Sequence, residues 1–359
     1  MNLRSIQADA LIVGGGPAGL ATAIALRQKG LRVMVAEAAR PPIDKACGEG
    51  LMPNGVEALR KLGVKIGVYD SAPFHGIRFI EAPICARGNF GGVRGIGIRR
   101  TVLHTMLIER AADAGVELRW GQRISPADLA VQARWIIGAD GQRSFVRRWA
   151  GLDCGAPRVR RFGFRYHCPV APWSDCVDVH WGDRCQIYIT PVSAESLCVA
   201  VISSNPHLRL EDALLQFPEV ASRLQGAAPA TVERGSVTES RRLRRVVRGS
   251  VALVGDASGS VDAITGEGLS LAFQQSLALA DAIEANDLEL YQSAHRKLAR
   301  VPALTARGML LMDRHRLLRQ SVLRTFSQQP GWFSGLLMMH IGGRSLSSEA
   351  ITNEKMAPV

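Results

Sequence analysis

The ten residues 10–19 read ALIVGGGPAG, an apolar run that meets a glycine-rich turn without a linker. The apolar run is typical of a buried parallel strand. The glycines have the spacing G-x-G-x-x-G, in which the first permits a tight turn, the second lets a pyrophosphate approach the backbone, and the third lets a helix pack on the strand. The turn residues that we predict to bind phosphates are Gly14, Gly16, Pro17, Ala18 and Gly19.

The next segment places this turn in a strand-helix-strand unit. Residues 20–29 predict a helix that has basic residues in its last turn and Gly30 directly after it. Residues 31–36 predict a second strand, and Glu37 at its end is placed to accept hydrogen bonds from an adenosine ribose. A turn that binds nothing is the weaker interpretation, because all these features occur in the expected order. Since the Glu37 carboxylate would repel the extra phosphate of NADP, the sequence predicts FAD or NAD.

Two later strands also end on residues suited to a ligand-facing turn. Residues 135–141 read WIIGADG and lead into a helix start, and residues 251–256 read VALVGD. Residues 265–268, TGEG, then open a predicted helix over 269–285. Three strand ends therefore point at one ligand. The residues at the two later ends that we predict to contact it are Asp140, Gly141, Gly255, Asp256, Gly266 and Gly268.

From residue 8 to about residue 285 the sequence resembles the group A flavoprotein monooxygenases, the para-hydroxybenzoate hydroxylase-like superfamily that includes geranylgeranyl reductases and flavin halogenases. The resemblance implies that FAD is the bound cofactor. In that family the Asp-Gly segment touches FAD and, during reduction, the nicotinamide nucleotide. The matching residues here are Asp140, Gly141, Ser144 and Arg147. By the same resemblance, Asp256 holds the ribityl-pyrophosphate region of FAD, and Arg143 and Arg147 contact the nucleotide.

Two further segments are placed near FAD by this resemblance. Arg100, at the start of a predicted helix, matches the family arginine that lies near FAD, and its neighbour Arg99 is the alternative for that place. Residues 45–51, KACGEGL, resemble the Cys-Gly-x-Gly-Leu segment of geranylgeranyl reductases, which lies close to the flavin ring. The resemblance therefore implies flavin contacts for Cys47 and Gly48.

The sequence departs from the hydroxylase branch at two positions, where Ala263 replaces a usual proline and Gly259 replaces a usual histidine. The reductase and halogenase branches also lack that histidine, and the halogenase motif Trp-x-Trp-x-Ile-Pro does not occur in the sequence. Two enzyme functions stay open. The first is an NAD(P)H-dependent monooxygenase that hydroxylates an electron-rich, aromatic or polyketide-like small molecule, and the second is a reductase of carbon–carbon double bonds in a prenyl or lipid substrate. Both use FAD with NADPH or NADH as the transient reductant, and the sequence assigns no catalytic residue.

The middle of the chain predicts a second kind of sheet. Residues 156–240 contain short alternating runs separated by proline and glycine, which predicts an antiparallel sheet that roofs the flavin ring over a substrate pocket. His167, His180 and Tyr188 are candidates to meet a substrate, although a buried structural role is the commoner one for such side chains. Beyond residue 290 the pattern is helical and basic.

Together these elements predict an α/β (α+β) fold. A Rossmann-like FAD-binding domain is interrupted by an inserted antiparallel-sheet substrate domain and is followed by a helical C-terminal tail. The predicted boundaries are 1–72, 95–155 and 241–290 for the FAD-binding domain, 73–94 and 156–240 for the substrate domain, and 291–359 for the helical region.

The composition narrows the class of partner. The 359 residues carry 44 Lys and Arg against 32 Asp and Glu, and this net charge of +12 favours an anionic partner such as a phosphorylated cofactor. The densest basic run, residues 241–248, has no interleaved aromatic side chains, so it predicts a solvated face and no nucleic-acid partner. A basic flavin-binding protein without catalysis is the weakest interpretation. We expect a small-molecule substrate, and peripheral membrane contact only if that substrate is lipid-like.

Cysteine usage and hydropathy bear on the compartment. Seven cysteines without a Cys-x-x-Cys pair indicate neither a metal site nor a disulfide framework, and they favour a reducing compartment. The longest uncharged run, residues 10–26, is broken by the glycine-rich turn, so it predicts neither a signal peptide nor a membrane span. We therefore expect a cytoplasmic protein.

Overall fold

The computed structural model describes residues 8–67, 69–129, 133–153 and 159–342. Within these ranges the chain forms a six-stranded, an eight-stranded and a three-stranded sheet together with a layer of C-terminal helices. The strands are β1 (Ala8–Val13), β2 (Val33–Glu37), β3 (Gly50–Leu51), β4 (Ser71–Phe74), β5 (Gly76–Glu81), β6 (Ile84–Asn89), β7 (Gly95–Ile98), β8 (Glu117–Trp120), β9 (Ala133–Gly138), β10 (Val159–Cys168), β11 (Cys176–Trp181), β12 (Cys185–Ser193), β13 (Ser196–Ser203), β14 (Arg234–Arg242), β15 (Val247–Arg248), β16 (Val251–Leu253) and β17 (Gly259–Ser260). The helices are α1 (Pro17–Gln28), α2 (Pro53–Lys61), α3 (Arg100–Asp113), α4 (Pro126–Leu129), α5 (Phe145–Trp149), α6 (Leu210–Leu214), α7 (Pro218–Leu224), α8 (Gly268–Glu284), α9 (Leu288–Arg314), α10 (Arg316–Gln328) and α11 (Pro330–His340).

The six-stranded sheet has the strand order β15-β16-β9-β1-β2-β8. Strand β1 lies between β2 and β9 and is parallel to both, so that Ile12 pairs with Val35 on one side and with Ile137 on the other. These apolar side chains are fully buried against helices such as α1 and α8. Because the carboxyl ends of parallel strands meet at one edge, the three predicted ligand-facing turns converge there. The predicted α/β fold is confirmed.

The observed boundaries differ from the predicted ones by one to three residues. Helix α1 begins at Pro17 instead of residue 20, because proline at the first helical position has a suitable φ and lacks an N–H that would be left unpaired. Strand β2 begins at Val33, and just before it the N–H of Arg32 donates to the Asp9 carboxylate at 2.8 Å. Helix α8 begins one residue before the predicted range 269–285.

The eight-stranded sheet has the order β17-β14-β10-β13-β12-β11-β5-β6, and its neighbouring strands are antiparallel except for β5 and β11. Side chains alternate between its two faces, as expected for pleated strands. Ile187 and Val199 pack towards α6 and α7, whereas Tyr188 and Ala200 pack towards α9, α10 and α11. Helices therefore cover both faces of the sheet that the alternating runs predicted.

The C-terminal helices are anchored to this sheet by buried ion pairs. Arg319 of α10 pairs with Glu81 at the end of β5, with Nε to Oε2 at 2.8 Å. Arg161 of β10 pairs with Asp313 of α9, with Nη2 to Oδ2 at 2.7 Å. Helix α9 contains Pro302 and packs against the short turn that follows β17. The predicted helical region is thus present from α9 to α11, and the domain boundaries stay a prediction.

Candidate functional site

A cavity of about 810 Å³ lies at the edge of the six-stranded sheet where the carboxyl ends of β1, β9 and β16 meet. It extends to the eight-stranded sheet, where Phe164, Tyr188 and Ile202 line it. The predicted site residues on its wall are Gly14, Gly16, Pro17, Ala18, Glu37, Cys47, Gly48, Arg100, Asp140, Gly141, Gly255, Asp256, Gly266 and Gly268. The structure therefore brings the predicted segments to one cavity, while their binding roles stay predictions.

The three glycines of the phosphate turn have different structural roles. Gly14 has a φ of +113°, and a Cβ there would lie 2.4 Å from the carbonyl oxygen of Ala139. A Cβ on Gly19 would lie 1.9 Å from the carbonyl oxygen of Gly14, so Gly19 packs α1 onto the turn and does not line the cavity. A Cβ on Gly16 would meet no atom within 4 Å. Gly16 is therefore the point where the backbone is open to a ligand, and α1 begins there without a side-chain cap.

Glu37 lies beside the turn at the end of β2. Its Oε2 accepts a hydrogen bond from the Gly15 N–H at 2.8 Å, and its Oε1 accepts one from the Ala39 N–H at 2.8 Å. These bonds fix the carboxylate at the cavity wall. Because a carboxylate has about four acceptor positions, both oxygens retain capacity for ribose hydroxyls. The ribose contact stays a prediction.

Asp140 organises the strand end at β9. Its carboxylate accepts hydrogen bonds from Ser144 Oγ at 2.5 Å and from the Phe145 N–H at 2.6 Å, which caps helix α5. Ser144 Oγ in turn accepts a hydrogen bond from the backbone N–H of Arg147 at 2.9 Å. The Ser144 side chain is fully buried in this network, so its predicted contact with FAD is wrong. The backbone of the Asp140–Gly141 turn remains on the cavity wall.

Arg147 does not face the cavity. Its side chain is 2 % exposed, and its guanidinium donates to the Asp153 carboxylate at 3.1 Å and to the carbonyls of Ala257 at 3.1 Å and Gln142 at 2.6 Å. The predicted contact of Arg147 with FAD or the nucleotide is therefore wrong, because the side chain joins two strand ends inside the protein. Arg143 lines the cavity and stays a candidate for the nucleotide contact.

The strand end at β16 is fixed by contacts from two sides. The Asp256 carboxylate lies 3.2 Å from Nζ of Lys45. Further along, Gly266 has a φ of +68°, and the Tyr188 hydroxyl donates to the carbonyl of Ile264 at 2.6 Å. Burial raises the pKa of Tyr188 well above its usual value. Tyr188 thus lines the cavity as a protonated phenol that holds the turn in place.

Glu267 connects the same turn to the C-terminal helices. Its buried Oε1 lies 2.6 Å from Nε2 of His340 on α11. Nδ1 of His340 lies 2.9 Å from Oγ1 of Thr305 on α9. The motif TGEG predicted the glycines of the turn but gave no signal for this contact, because its partners come from distant parts of the sequence. Helices α9 and α11 therefore support the turn on its outer side.

Arg100 begins helix α3 and lies on the cavity wall. Its backbone N–H donates to Glu49 Oε1 at 2.9 Å, whereas its buried Nη1 has no hydrogen-bond partner in the described part of the chain. Burial lowers the pKa of this guanidinium. An unpaired buried donor costs about 1–3 kcal/mol, so the arrangement fits an acceptor supplied by a ligand. Arg99 does not line the cavity, and the structure thus favours Arg100 for the family position.

A buried acid–base cluster lies next to Cys47. Oε2 of Glu49 lies 2.6 Å from Nε2 of His167, and Oε1 lies 3.6 Å from Nε of Arg165. Glu49 has a φ of +58°, a conformation that few residues other than glycine adopt. Burial raises the pKa of the Cys47 thiol. The thiol on the cavity wall is therefore protonated at neutral pH and is not an activated nucleophile.

The hydrogen bonds of His167 indicate its tautomer. Oγ1 of Thr231 accepts the backbone N–H of His167 at 3.0 Å and lies 3.0 Å from its Nδ1. The hydroxyl hydrogen is therefore available to Nδ1, which places a ring hydrogen on Nε2, facing Glu49. His180 lies beside Phe217 on β11, and burial lowers its pKa. Neither histidine lines the cavity, so both side chains have a buried structural role, which is the commoner one for such residues.

His104 supports the phosphate turn from helix α3. Its Nδ1 accepts the Ile43 N–H at 3.2 Å, so Nε2 carries the hydrogen and donates to the Gly15 carbonyl at 2.8 Å. Burial lowers the pKa of His104, which keeps the ring neutral. No local motif predicts this role of His104, because the contact joins residues that are 89 positions apart in the chain.

We expect His295 to make the stability of the protein fall between pH 6.5 and pH 4. Its Nε2 lies 2.9 Å from Ser258 Oγ behind the β16 turn, and burial lowers its pKa to about 4. Because the unfolded state keeps a pKa of about 6.5, it binds more protons than the folded state in this window, and stability is lost as the pH falls. His295→Gln should reduce that loss by up to about 1.4 kcal/mol per pH unit. Urea unfolding of the parent protein and the variant at pH 7 and pH 5 measures the loss in the free energy of unfolding.

The exposed His207 provides the control for this measurement. His207→Gln should leave the pH dependence of the free energy of unfolding as it is in the parent protein. If His295→Gln gives a pH dependence parallel to that of the parent, the titration of His295 does not destabilise the fold.

The fold and the cavity together define a dinucleotide-binding protein. Its phosphate turn lies at the edge of a parallel sheet, and the cavity at this turn is also lined by a second sheet. The chain belongs to the FAD binding domain family, whose model matches residues 7–129 and 125–289. The open backbone at Gly16 and the unpaired Arg100 donor fit a ligand with phosphate and acceptor groups. FAD is therefore the cofactor of this protein.

Proteins of known function are similar to the chain over most of its length. It is 25% identical to menaquinone reductase of Mycobacterium tuberculosis over 317 residues, which covers 79% of this chain and 78% of that protein. It is 26% identical to 3-hydroxybenzoate 6-hydroxylase of Klebsiella oxytoca, covering 76% of this chain and 79% of that protein. The solved structure of a geranylgeranyl bacteriochlorophyll reductase-like protein from Thermoplasma acidophilum matches with a TM-score of 0.71 at 20% identity, covering 94% of this chain and 96% of that one.

These findings confirm the resemblance to the group A flavoprotein monooxygenase superfamily, with a geranylgeranyl reductase-like neighbour. The protein is an FAD-dependent oxidoreductase. No helix in the described ranges combines the length and the apolar character that a membrane crossing requires.

Proposed function

We propose that the protein is an NAD(P)H-dependent monooxygenase that hydroxylates an electron-rich aromatic or polyketide-like small molecule. The observation that supports this most is the single cavity, which joins the phosphate turn at Gly16 to the wall formed by Phe164, Ala200 and Ile202 on the other sheet. A cofactor held at the turn thereby has access to a molecule held against that wall. The similarity to a hydroxylase over three quarters of the chain adds to this support.

Different residues of the site bind different parts of the ligands. The backbone at Gly16 and the start of α1 bind the pyrophosphate, and Glu37 binds the adenosine ribose. Glu49 accepts the Arg100 N–H and so positions the start of α3, and the unpaired Nη1 of Arg100 is the donor that an acceptor group of the ligand would engage. Arg143 on the wall binds the phosphates of NADH or NADPH while it reduces the cofactor. Bound FAD supplies the two-electron redox chemistry that these side chains lack.

The wall on the eight-stranded sheet selects the substrate. Phe164, Ala200 and Ile202 present apolar surface and exclude water from this part of the cavity. Ser236 and Thr238 also lie on the wall and offer hydroxyl groups. A molecule with an aromatic body and a polar substituent satisfies both kinds of surface, which is the character of a phenol or a polyketide.

A reductase of prenyl or lipid substrates is the second candidate function. Cys47 and Gly48, from the segment that resembles geranylgeranyl reductases, lie on the cavity wall. The similarity to a menaquinone reductase favours the same class. The protonated Cys47 thiol and the apolar wall are compatible with an uncharged prenyl chain as well as with an aromatic ring.

Oxygen dependence separates the two functions. With NADH or NADPH in air, we expect a phenolic or polyketide substrate to accelerate nucleotide oxidation by the holoenzyme, with one labelled oxygen atom from dioxygen appearing in the product. Without a true substrate, nucleotide oxidation should yield hydrogen peroxide. The measurement is stopped-flow absorbance combined with mass spectrometry of the product. Anaerobic reoxidation of the reduced enzyme by a prenyl lipid, with mass spectrometry showing that one carbon–carbon double bond of that lipid has gained two hydrogen atoms, would establish the reductase instead.

A further inference from the structure

The outer surface of helix α11 is apolar. Phe333 and Leu337 are buried against the eight-stranded sheet, whereas Trp332, Leu336 and Met339 are 66, 50 and 66 % exposed. Residues three and four positions apart lie on one side of a helix, so these three side chains form a continuous stripe. Exposed large apolar side chains that form a contiguous patch indicate an interaction site.

Helix α9 exposes a second stripe in which cations alternate with leucines. The exposed residues at spacings of three and four are Arg300, Leu304, Arg307, Leu311 and Arg314. Leu304 is 67 % exposed. Within the described ranges none of the three arginines forms an ion pair. Their charges are therefore available to an anionic partner.

The helical layer is also strongly basic as a whole. Helices α9 to α11 contain eight Lys and Arg but only two acidic residues, Glu289 and Asp313, and Glu289 is paired with Arg245. The Asp313 carboxylate is already paired with Arg161 of the sheet. The layer therefore carries a large part of the +12 net charge of the chain.

The two stripes belong to one surface. His340 of α11 lies 2.9 Å from Thr305 of α9, and Lys297 and Met339 line the same small cavity of about 180 Å³ between the helices. Leu317 of α10 is also exposed. We use the name outer helix face for the exposed surface of α9 and α11 that is formed mainly by Arg300, Leu304, Arg307, Leu311, Trp332 and Leu336.

We propose that the outer helix face docks the protein on the surface of an anionic lipid bilayer. Helices that carry both apolar side chains and unpaired arginines suit the interfacial region of a membrane. The apolar side chains enter the acyl boundary, and the arginines contact lipid phosphates. A second copy of this chain is the weaker occupant, because a two-fold interface would bring two copies of the same arginine-containing stripe together. Docking is independent of the reaction proposed above.

Helix α9 lies between the outer helix face and the large cavity, so docking on this face also brings the bilayer near the cavity. Pro302 lines the large cavity, and it lies on the side of α9 opposite to Arg300 and Leu304. The cavity is therefore separated from the outer helix face by about one helix diameter, which is ~10–12 Å. A bilayer bound to this face would therefore lie within about one helix diameter of the cavity wall at Pro302.

Vesicle binding tests the proposal. The full chain, loaded with FAD, is expected to co-sediment with vesicles of phosphatidylglycerol and phosphatidylcholine, to bind pure phosphatidylcholine weakly, and to lose affinity in 0.5 M salt because screening is stronger there. Arg300→Gln with Arg307→Gln should weaken binding about thirtyfold, at ~1 kcal/mol for each cation. Leu304→Glu with Leu336→Glu should abolish it.

Matched control variants lie elsewhere on the surface. Leu215→Glu changes an even more exposed leucine directly after α6, across the sheet from the outer helix face. Arg242→Gln with Arg244→Gln removes two exposed cations from the basic run 241–248. Both controls should bind vesicles as the parent does.

Three results would overturn the proposal. The first is the absence of vesicle binding by the full chain, and the second is an equal loss of binding in the control variants. The third is a stable dimer by light scattering that Leu304→Glu with Leu336→Glu converts to a monomer, which would make the face an interface between copies. Because no turnover is measured, failure here leaves the proposed monooxygenase function untouched.

Discussion

Gly16→Val is expected to leave the apoprotein folded and to weaken FAD binding by roughly 5- to 150-fold. A Cβ at Gly16 meets no atom within 4 Å, so the side chain costs the protein alone no steric clash. The same space faces the cavity where the pyrophosphate is predicted to lie. Forcing a side chain into an occupied site costs about 1–3 kcal/mol, which gives that range of affinities. Fluorescence titration of the apoprotein with FAD measures the change.

Two other glycines provide controls for this variant. Gly308→Val adds the same side chain to open space on α9 and should leave FAD affinity unchanged. Gly19→Ala places a Cβ 1.9 Å from the Gly14 carbonyl oxygen and should lower the melting temperature of the apoprotein itself. Full FAD affinity in Gly16→Val would mean that the phosphates bind away from this turn.

Glu49→Ala is expected to destabilise the fold by about 3–5 kcal/mol, because it leaves buried charged and polar partners without their acceptor. The carboxylate accepts the Arg100 N–H at 2.9 Å and lies 2.6 Å from His167 Nε2. Alanine at a φ of +58° has about the same backbone strain as glutamate, so the difference reports the side chain alone. Urea unfolding measures the change in free energy.

The surface pair of Lys29 and Glu284, at 2.7 Å, is the control for Glu49. Glu284→Ala should cost less than about 1 kcal/mol, because both groups keep contact with water. Glu49→Gln retains the acceptor oxygen for the Arg100 N–H and should fall between the two. Equal stabilities of Glu49→Ala and Glu284→Ala would show that the buried cluster contributes little to the fold.

The parts of the site that the sequence predicts are those whose chemistry is local. Gly14, Gly16 and Gly19 act through a single turn, and their spacing specifies three different steric roles that the structure reproduces. Glu37 and Asp140 are likewise placed by the strands that precede them. Such residues need no knowledge of the rest of the chain.

The remaining parts depend on contacts between distant segments. Glu49 and His167 are 118 positions apart, and neither lies in a motif that indicates the other. Arg147 has the sequence position of a cofactor contact in the family, but its guanidinium donates hydrogen bonds to Asp153 and Ala257 and lies away from the cavity. A family position alone therefore does not predict where this side chain lies. The alternating run that contains Tyr188 predicts a strand, but nothing in it indicates the carbonyl of Ile264 that the hydroxyl contacts.

The cavity wall begins at Val13 and is completed by Pro302, so it draws on nearly the whole described chain. During synthesis the phosphate turn leaves the ribosome first, and at roughly 5–20 residues per second about 15–60 s pass before Pro302 is made. The cavity wall is therefore incomplete until Pro302 has been made, and we expect FAD to load late in translation or after it. A cell short of flavin would accumulate full-length apoprotein with a finished but empty cavity.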